Sequence, residues 1–181
     1  MQPAGQLKKK AILKKSLLGA VLLLAMALGT PATAADQPTP LTITEDLSCG
    51  VCGMHPAKFG KWQTQIIFTD GAMVPFDGGK DMFRFIFEMA KYEPKHTRAD
   101  IAAIWVRDFA GGAWLDGGKA IYVLASKVMG PMGKELIPFA DNDAAGEFKK
   151  ANGGTSKPFA AITLADIDQL DMGGMMKKGK M

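Results

Sequence analysis

Two periods can be read in the apolar positions of this chain. Trp62 to Phe68 and Met73 to Phe76 are apolar, β-rich runs separated by Thr69-Asp70-Gly71-Ala72. Asp-Gly between two such runs predicts a hairpin, because both residues tolerate the backbone angles of a tight turn. Asp77-Gly78-Gly79, read as turn chemistry, leads into Lys80 to Tyr92, where Met82, Phe83, Phe85, Ile86 and Met89 recur at helical spacing. That spacing assigns Met82 and Met89 to packing. Pro94 stops the helix, and Ile101 to Phe109 alternates as a third strand.

The second half repeats this order. Ala113 to Asp116 predicts a short strand, joined through Gly117-Gly118 to a better one at Ala120 to Ala125. Glu135 to Phe139 follows, then Asn142 as N-cap of a helix running to Ala151. Asn152-Gly153-Gly154 ends that helix, and Pro158 to Leu164 reads as the closing strand. Two sequence echoes support a duplication, Asp77-Gly78-Gly79-Lys80 with Asp116-Gly117-Gly118-Lys119 and Pro75-Phe76 with Pro138-Phe139. They are not in register with each other, so the repeat rests mainly on element order. The expected fold class is therefore α+β, with two similar ββαβ-type units packed together and antiparallel hairpins covered by helices. The units are expected at 46–110 and 111–168, after a flexible leader at 35–45. Residues 169–181 lack apolar periodicity and are expected to be a disordered Met/Lys tail.

The N-terminus carries a different signal. Lys8, Lys9, Lys10, Lys14 and Lys15 precede an apolar run from Leu17 to Leu28, and Ala32-Thr33-Ala34 offers small residues for cleavage. This pattern predicts a signal peptide over 1–34 and a soluble protein exported to the periplasm. An apolar run of about 12 residues is short against the roughly 20 that a membrane-spanning helix needs. Setting those five lysines aside leaves 17 of the 22 Lys and Arg against 18 Asp and Glu. The near-neutral balance removes the electrostatic case for nucleic acid.

Both cysteines lie in Cys49-Gly50-Val51-Cys52-Gly53-Met54-His55. Two thiols at i and i+3 can converge on one ion, and thiolate with thioether favours Cu(I) over harder ions. Haem attachment is excluded, because Gly53 stands where that signature needs His. A structural zinc site needs four ligands, usually from two such pairs, and only one pair exists. Three readings remain: a structural disulfide, a thiol–disulfide oxidoreductase, and an exchangeable soft-metal site, which leads. An oxidoreductase motif opens a helix, whereas this one precedes a hairpin. Met54 is a candidate thioether ligand and His55 a candidate imidazole, turned outward by Pro56. Met129-Gly130-Pro131-Met132-Gly133 belongs to no apolar stripe and is a second thioether candidate, while His96 reads as a surface residue. Met172, Met175, Met176 and Met181 could sweep copper weakly. No catalytic constellation appears, so no enzyme is expected.

These residues resemble the NosL family, accessory proteins of nitrous oxide reductase maturation. Cys49-Gly50-Val51-Cys52-Gly53-Met54 matches the family's C-x-x-C-G-M; Asp70-Gly71, Phe76-Asp77, Gly130-Pro131-Met132-Gly133 and Gly153-Gly154 follow in the family's order. The resemblance implies a periplasmic Cu(I) metallochaperone. Its partners would be nitrous oxide reductase and the ABC-type copper–sulfur assembly complex, with the membrane reached only through them. Cys49, Cys52 and Met54 would be ligands from the first unit and Met132 a contributor from the second. A homodimer sharing one ion, and a general copper-handling role outside denitrification, both stay open. The lipobox cysteine common in the family is absent, and Gly50-Val51 replaces an aromatic or histidine often found inside CxxC.

Overall fold

The structure, a computed structural model, describes residues 37–178, with side chains as far as Asp171. The signal peptide expected at 1–34, Met181, and the side chains of Met172, Met175 and Met176 lie outside the described residues. Among the described residues, no helix is long and apolar enough to cross a membrane.

Among the described residues, seven strands form two antiparallel sheets. The first contains β1 (Thr64–Phe68), β2 (Met73–Phe76), β3 (Ile101–Arg107) and β4 (Trp114–Asp116), ordered β2-β1-β3-β4. The second contains β5 (Ile121–Gly130), β6 (Gly133–Phe139) and β7 (Thr155–Pro158), ordered β6-β5-β7. Helices α1 (Gly79–Phe87) and α2 (Met89–Tyr92) follow β2, α3 (Asn142–Asn152) follows β6, and α4 (Leu164–Lys178) closes the chain. The fold is α+β. Each sheet is built as hairpin, helix, returning strand, and the returning strand pairs with the first strand of its hairpin in both.

This topology separates the two sequence echoes. Pro75 faces Gln65 and Pro138 faces Tyr122, one position before Phe76 and Phe139 end their strands, so that echo is in register. Asp77-Gly78-Gly79 runs into the start of α1, whereas Asp116 ends β4 and Gly117-Gly118 leads on to another strand, so the other echo is not.

Several elements depart from expectation. The Ala113–Asp116 run does not open the second sheet; β4 pairs with β3, and its register places Leu115 opposite Val106. The helix expected from Lys80 to Tyr92 breaks at Glu88, which has φ −117 and ψ 33. Asp141, rather than Asn142, caps α3 by accepting the Ala144 N–H. The closing strand lies earlier, at β7, and Phe159–Ala161 turns away from it as a 3-10 helix. The leader expected to be flexible is pinned to the first sheet. Buried Gln65 exchanges two 2.9 Å hydrogen bonds with the Leu41 backbone, and Trp105 donates to the Pro38 carbonyl.

The C-terminal tail is the largest departure, since α4 replaces the expected disorder. Ile167 and Leu170 are buried in the main core, which also holds Ile66, Tyr122 and Leu136 from the two sheets and Phe83 of α1. On the same helix Asp168 and Asp171 each pair with Arg84, at 2.9 and 2.7 Å, and Asp171 lies 2.9 Å from Lys80 Nζ. Two buried aliphatic residues three apart and a patch of ion pairs to the distant Lys80 and Arg84 of α1 hold the helix, with no long local stripe to announce it.

Candidate metal centre

The CxxC loop is fixed by short-range geometry. Cys49 N–H donates to the Met54 carbonyl at 2.7 Å, and Gly53 N–H returns to the Cys49 carbonyl at 3.1 Å. Gly53 has φ +76, a conformation that a residue with Cβ rarely adopts. Gly50 N–H donates to the Pro75 carbonyl, which ties the loop to the end of β2. From there the chain passes through Asp77 into α1, so the loop and the start of α1 share one corner of the fold.

At that corner Cys49 Sγ lies 3.3 Å from Asp81 Oδ2, and Cys52 Sγ lies 3.4 Å from Asp77 Oδ1. One donor atom from each of the four residues falls within 4.8 Å of all the others. Cys49, Asp77 and Asp81 are buried and Cys52 is half-buried, and both cysteines are free thiols. Asp77 Oδ2 is buried with no hydrogen-bond partner, a group that an ion or a proton would satisfy.

The electrostatics favour the protonated form of both thiols. Burial pushes the Cys49 thiol up to about 12, and the nearby Asp81 adds to the shift. Burial likewise raises Cys52, again with help from Asp81. Asp81 is itself raised by burial, against the opposing pull of its hydrogen bonds from the thiols. A thiol held this high is a poor free nucleophile. Coordination, by contrast, removes the proton outright.

The structure brings Cys49 and Cys52 together and adds two residues that sequence reasoning missed, Asp77 and Asp81. In the sequence Asp77 reads as part of a turn; the missing signal is pairing between that turn and a loop 25 residues earlier. Met54 is half-buried beside the loop. His55 is exposed, with Nδ1 3.2 Å from the Leu47 carbonyl, and is not a member of the four-residue cluster. Met132 is 43% exposed in the β5–β6 turn, and its carbonyl accepts a hydrogen bond from Lys80 Nζ at 3.0 Å. His96 is held by Asp70 at 3.0 Å and stacks on Phe68, with ring centroids 4.0 Å apart.

A repeated ββαβ scaffold with one thiol–carboxylate cluster at the CxxC corner defines the class. Residues 40–167 match the NosL family model, and the chain belongs to that family. The fold is similar to the crystal structure of the copper chaperone NosL from Shewanella denitrificans, with TM-score 0.61 and 21% identity over 70% of this chain and 97% of that one. The solution structure of the apo-NosL protein from Achromobacter cycloclastes is 28% identical over 57% of this chain and 87% of that one, with TM-score 0.42. No curated protein matches the chain.

Proposed function

We propose that this chain is a Cu(I) metallochaperone of the periplasm that delivers copper for nitrous oxide reductase assembly. The observation that carries the reading is the cluster itself: two thiols at one corner, packed against two carboxylates. Membership of the NosL family and the copper-chaperone name of the Shewanella denitrificans protein support copper as the ion. Thiolate donors favour its monovalent form.

Capture is ligand exchange. Two copper–sulfur bonds form as the two S–H bonds break, and Asp81 and Asp77 stand where they can receive the departing protons. Copper stays monovalent, so no electron acceptor is required. Half-exposed Cys52 is the face from which an incoming partner ligand displaces the protein's sulfur. Met54 and Met132 are the thioethers available to complete the coordination, and exposed His55 is the remaining nitrogen candidate. The assembly complex of the reductase receives the ion, and export through residues 1–34 places the chain beside it.

The rival thiol–disulfide oxidoreductase needs a depressed cysteine pKa. Here burial and Asp81 shift both thiols the other way. Anaerobic titration of Cu(I) against a chromophoric chelator tests the proposal. Cys52→Ser is expected to lower affinity at least tenfold, by the loss of one of two thiolate ligands. Undiminished affinity would overturn the reading.

A further inference from the structure

Helix α1 begins without a cap of its own. Its N-cap residue is Gly78, which has no side chain to meet the free N–H groups of the first turn. Glu135 of β6, only 2% exposed, meets one of them from the other sheet. Its Oε2 accepts from the Lys80 N–H at 2.9 Å and from the Leu136 N–H at 3.3 Å. Lys80 is the second helical residue, one of the two positions that a capping side chain normally serves.

Glycines make the room. A Cβ on Gly78 would lie 2.7 Å from the Glu135 carboxyl, and one on Gly130 would lie 2.3 Å from Glu135 Cγ. A Cβ on Gly79 would meet the Leu136 carbonyl at 2.4 Å. Strand β6 therefore rests directly on the first turn of α1, and Asp77 and Asp81, which face the thiols, bracket that turn.

We propose that Glu135 is a positioning residue of the metal centre: its carboxyl, supplied from the second sheet, caps α1 and so fixes Asp77 and Asp81 about Cys49 and Cys52. The proposal rests on the soft-ion reading of the centre and adds to it a residue whose hydrogen bonds go to the Lys80 and Leu136 N–H groups and to none of the four clustered side chains. It also gives the β5–β6 turn a mechanical link to the centre. Met132 and Glu135 both hold Lys80, one at its ammonium and the other at its backbone N–H.

Three variants of the full chain test this: Glu135→Ala, Glu135→Gln, and Glu135→Ala combined with Gly78→Ser. The readouts are Ag(I) affinity under reducing conditions and hydrogen-exchange protection of the Lys80 amide. Glu135→Ala is expected to lose about 10- to 100-fold in affinity, as for other outer partners of metal ligands, together with Lys80 protection. Glu135→Gln keeps an oxygen acceptor and is expected to bind as wild type does. The double variant is expected to recover, because the introduced serine hydroxyl would cap the helix locally in the space that Glu135 vacates. Full affinity in Glu135→Ala despite lost protection would overturn the proposal, as would a loss that neither companion variant recovers. Should Glu135→Ala not fold, a tenfold or greater loss in Glu135→Gln overturns it, and wild-type binding there with recovery in the double variant upholds it. A wild-type chain that binds no soft ion fails the copper reading instead. The capping role is then judged on Lys80 protection and the Asp77 and Asp81 carboxyl 13C shifts, which must move in Glu135→Ala and return in the double variant.

Discussion

A Cβ built on Gly50 would stand 2.4 Å from Cγ1 of Val74, so the inside of the CxxC loop is pressed against β2 with no room for a side chain. Phe76 and Phe85 lie just behind, at 3.3 and 3.6 Å. Gly50→Ala is expected to destabilise the fold by about 1–3 kcal/mol through overpacking and to weaken metal uptake by moving Cys49. Urea denaturation and the chelator titration read the two effects separately. This contact also explains why nothing bulky stands at this position inside the motif.

Asp81 is expected to restrain the reactivity of the thiols. Its nearby charge raises both cysteines, so the isosteric Asp81→Asn should lower both thiol pKa values and speed alkylation by iodoacetamide. Burial, the larger cause, is untouched, so the thiols should remain above their ordinary range. Slower alkylation in the variant would contradict the arrangement.

The docking of α4 should be measurable as stability. Leu170 is 4% exposed, and Leu170→Ala is expected to cost about 2–4 kcal/mol. Asp171→Ala leaves the buried Lys80 ammonium with the Met132 carbonyl alone. Because Asp171 is itself partly exposed, the cost is discounted for solvent screening to about 1–2 kcal/mol. Chemical denaturation checks both; stabilities equal to wild type would mean that α4 does not hold the core.

Much of this is legible in the chain and some of it is not. The Asp70-Gly71 hairpin, the strand at Met73–Phe76 and the packing role of Met82 can be read because each depends on neighbours in sequence. Residues whose partners are distant cannot. Asp77 looks like turn chemistry until Cys52 is placed against it, and Asp168 and Asp171 look like a solvated tail until Arg84 and Lys80 meet them. β4 reads as part of the wrong sheet because the glycines after it resemble a hairpin, while its true partner β3 lies before it. Gly78 and Gly79 give no hint of β6, because a close approach leaves no mark in sequence beyond the missing side chain.

Three groups should make stability depend on pH. His96 is raised, chiefly by Asp70, and Asp70 is lowered by its backbone and His96 hydrogen bonds. The His96 contribution is complete below its ordinary 6.5 and fades as pH rises through the folded value. The Asp70 contribution is present above its ordinary 3.8 and is lost as pH falls through the folded value. Burial raises Glu135 from 4.5 to about 8, so the fold holds an extra proton between those values and loses stability as pH climbs through them. Glu135→Gln should flatten that slope, and His96→Ala should remove only the clamp on the β1–β2 turn. Urea midpoints from pH 4 to 9 follow both; a Glu135→Gln profile parallel to wild type would show that Glu135 carries no shifted proton.

Anaerobic X-ray absorption on the reduced chain loaded with one equivalent of Cu(I) puts the copper assignment at greatest risk. We expect monovalent copper with sulfur scattering from both cysteines, and loss of that signal in the Cys49→Ser, Cys52→Ser double variant. Copper bound only through oxygen and nitrogen, or an unchanged sulfur signal once both thiols are gone, would place the ion elsewhere and remove the cluster from the account.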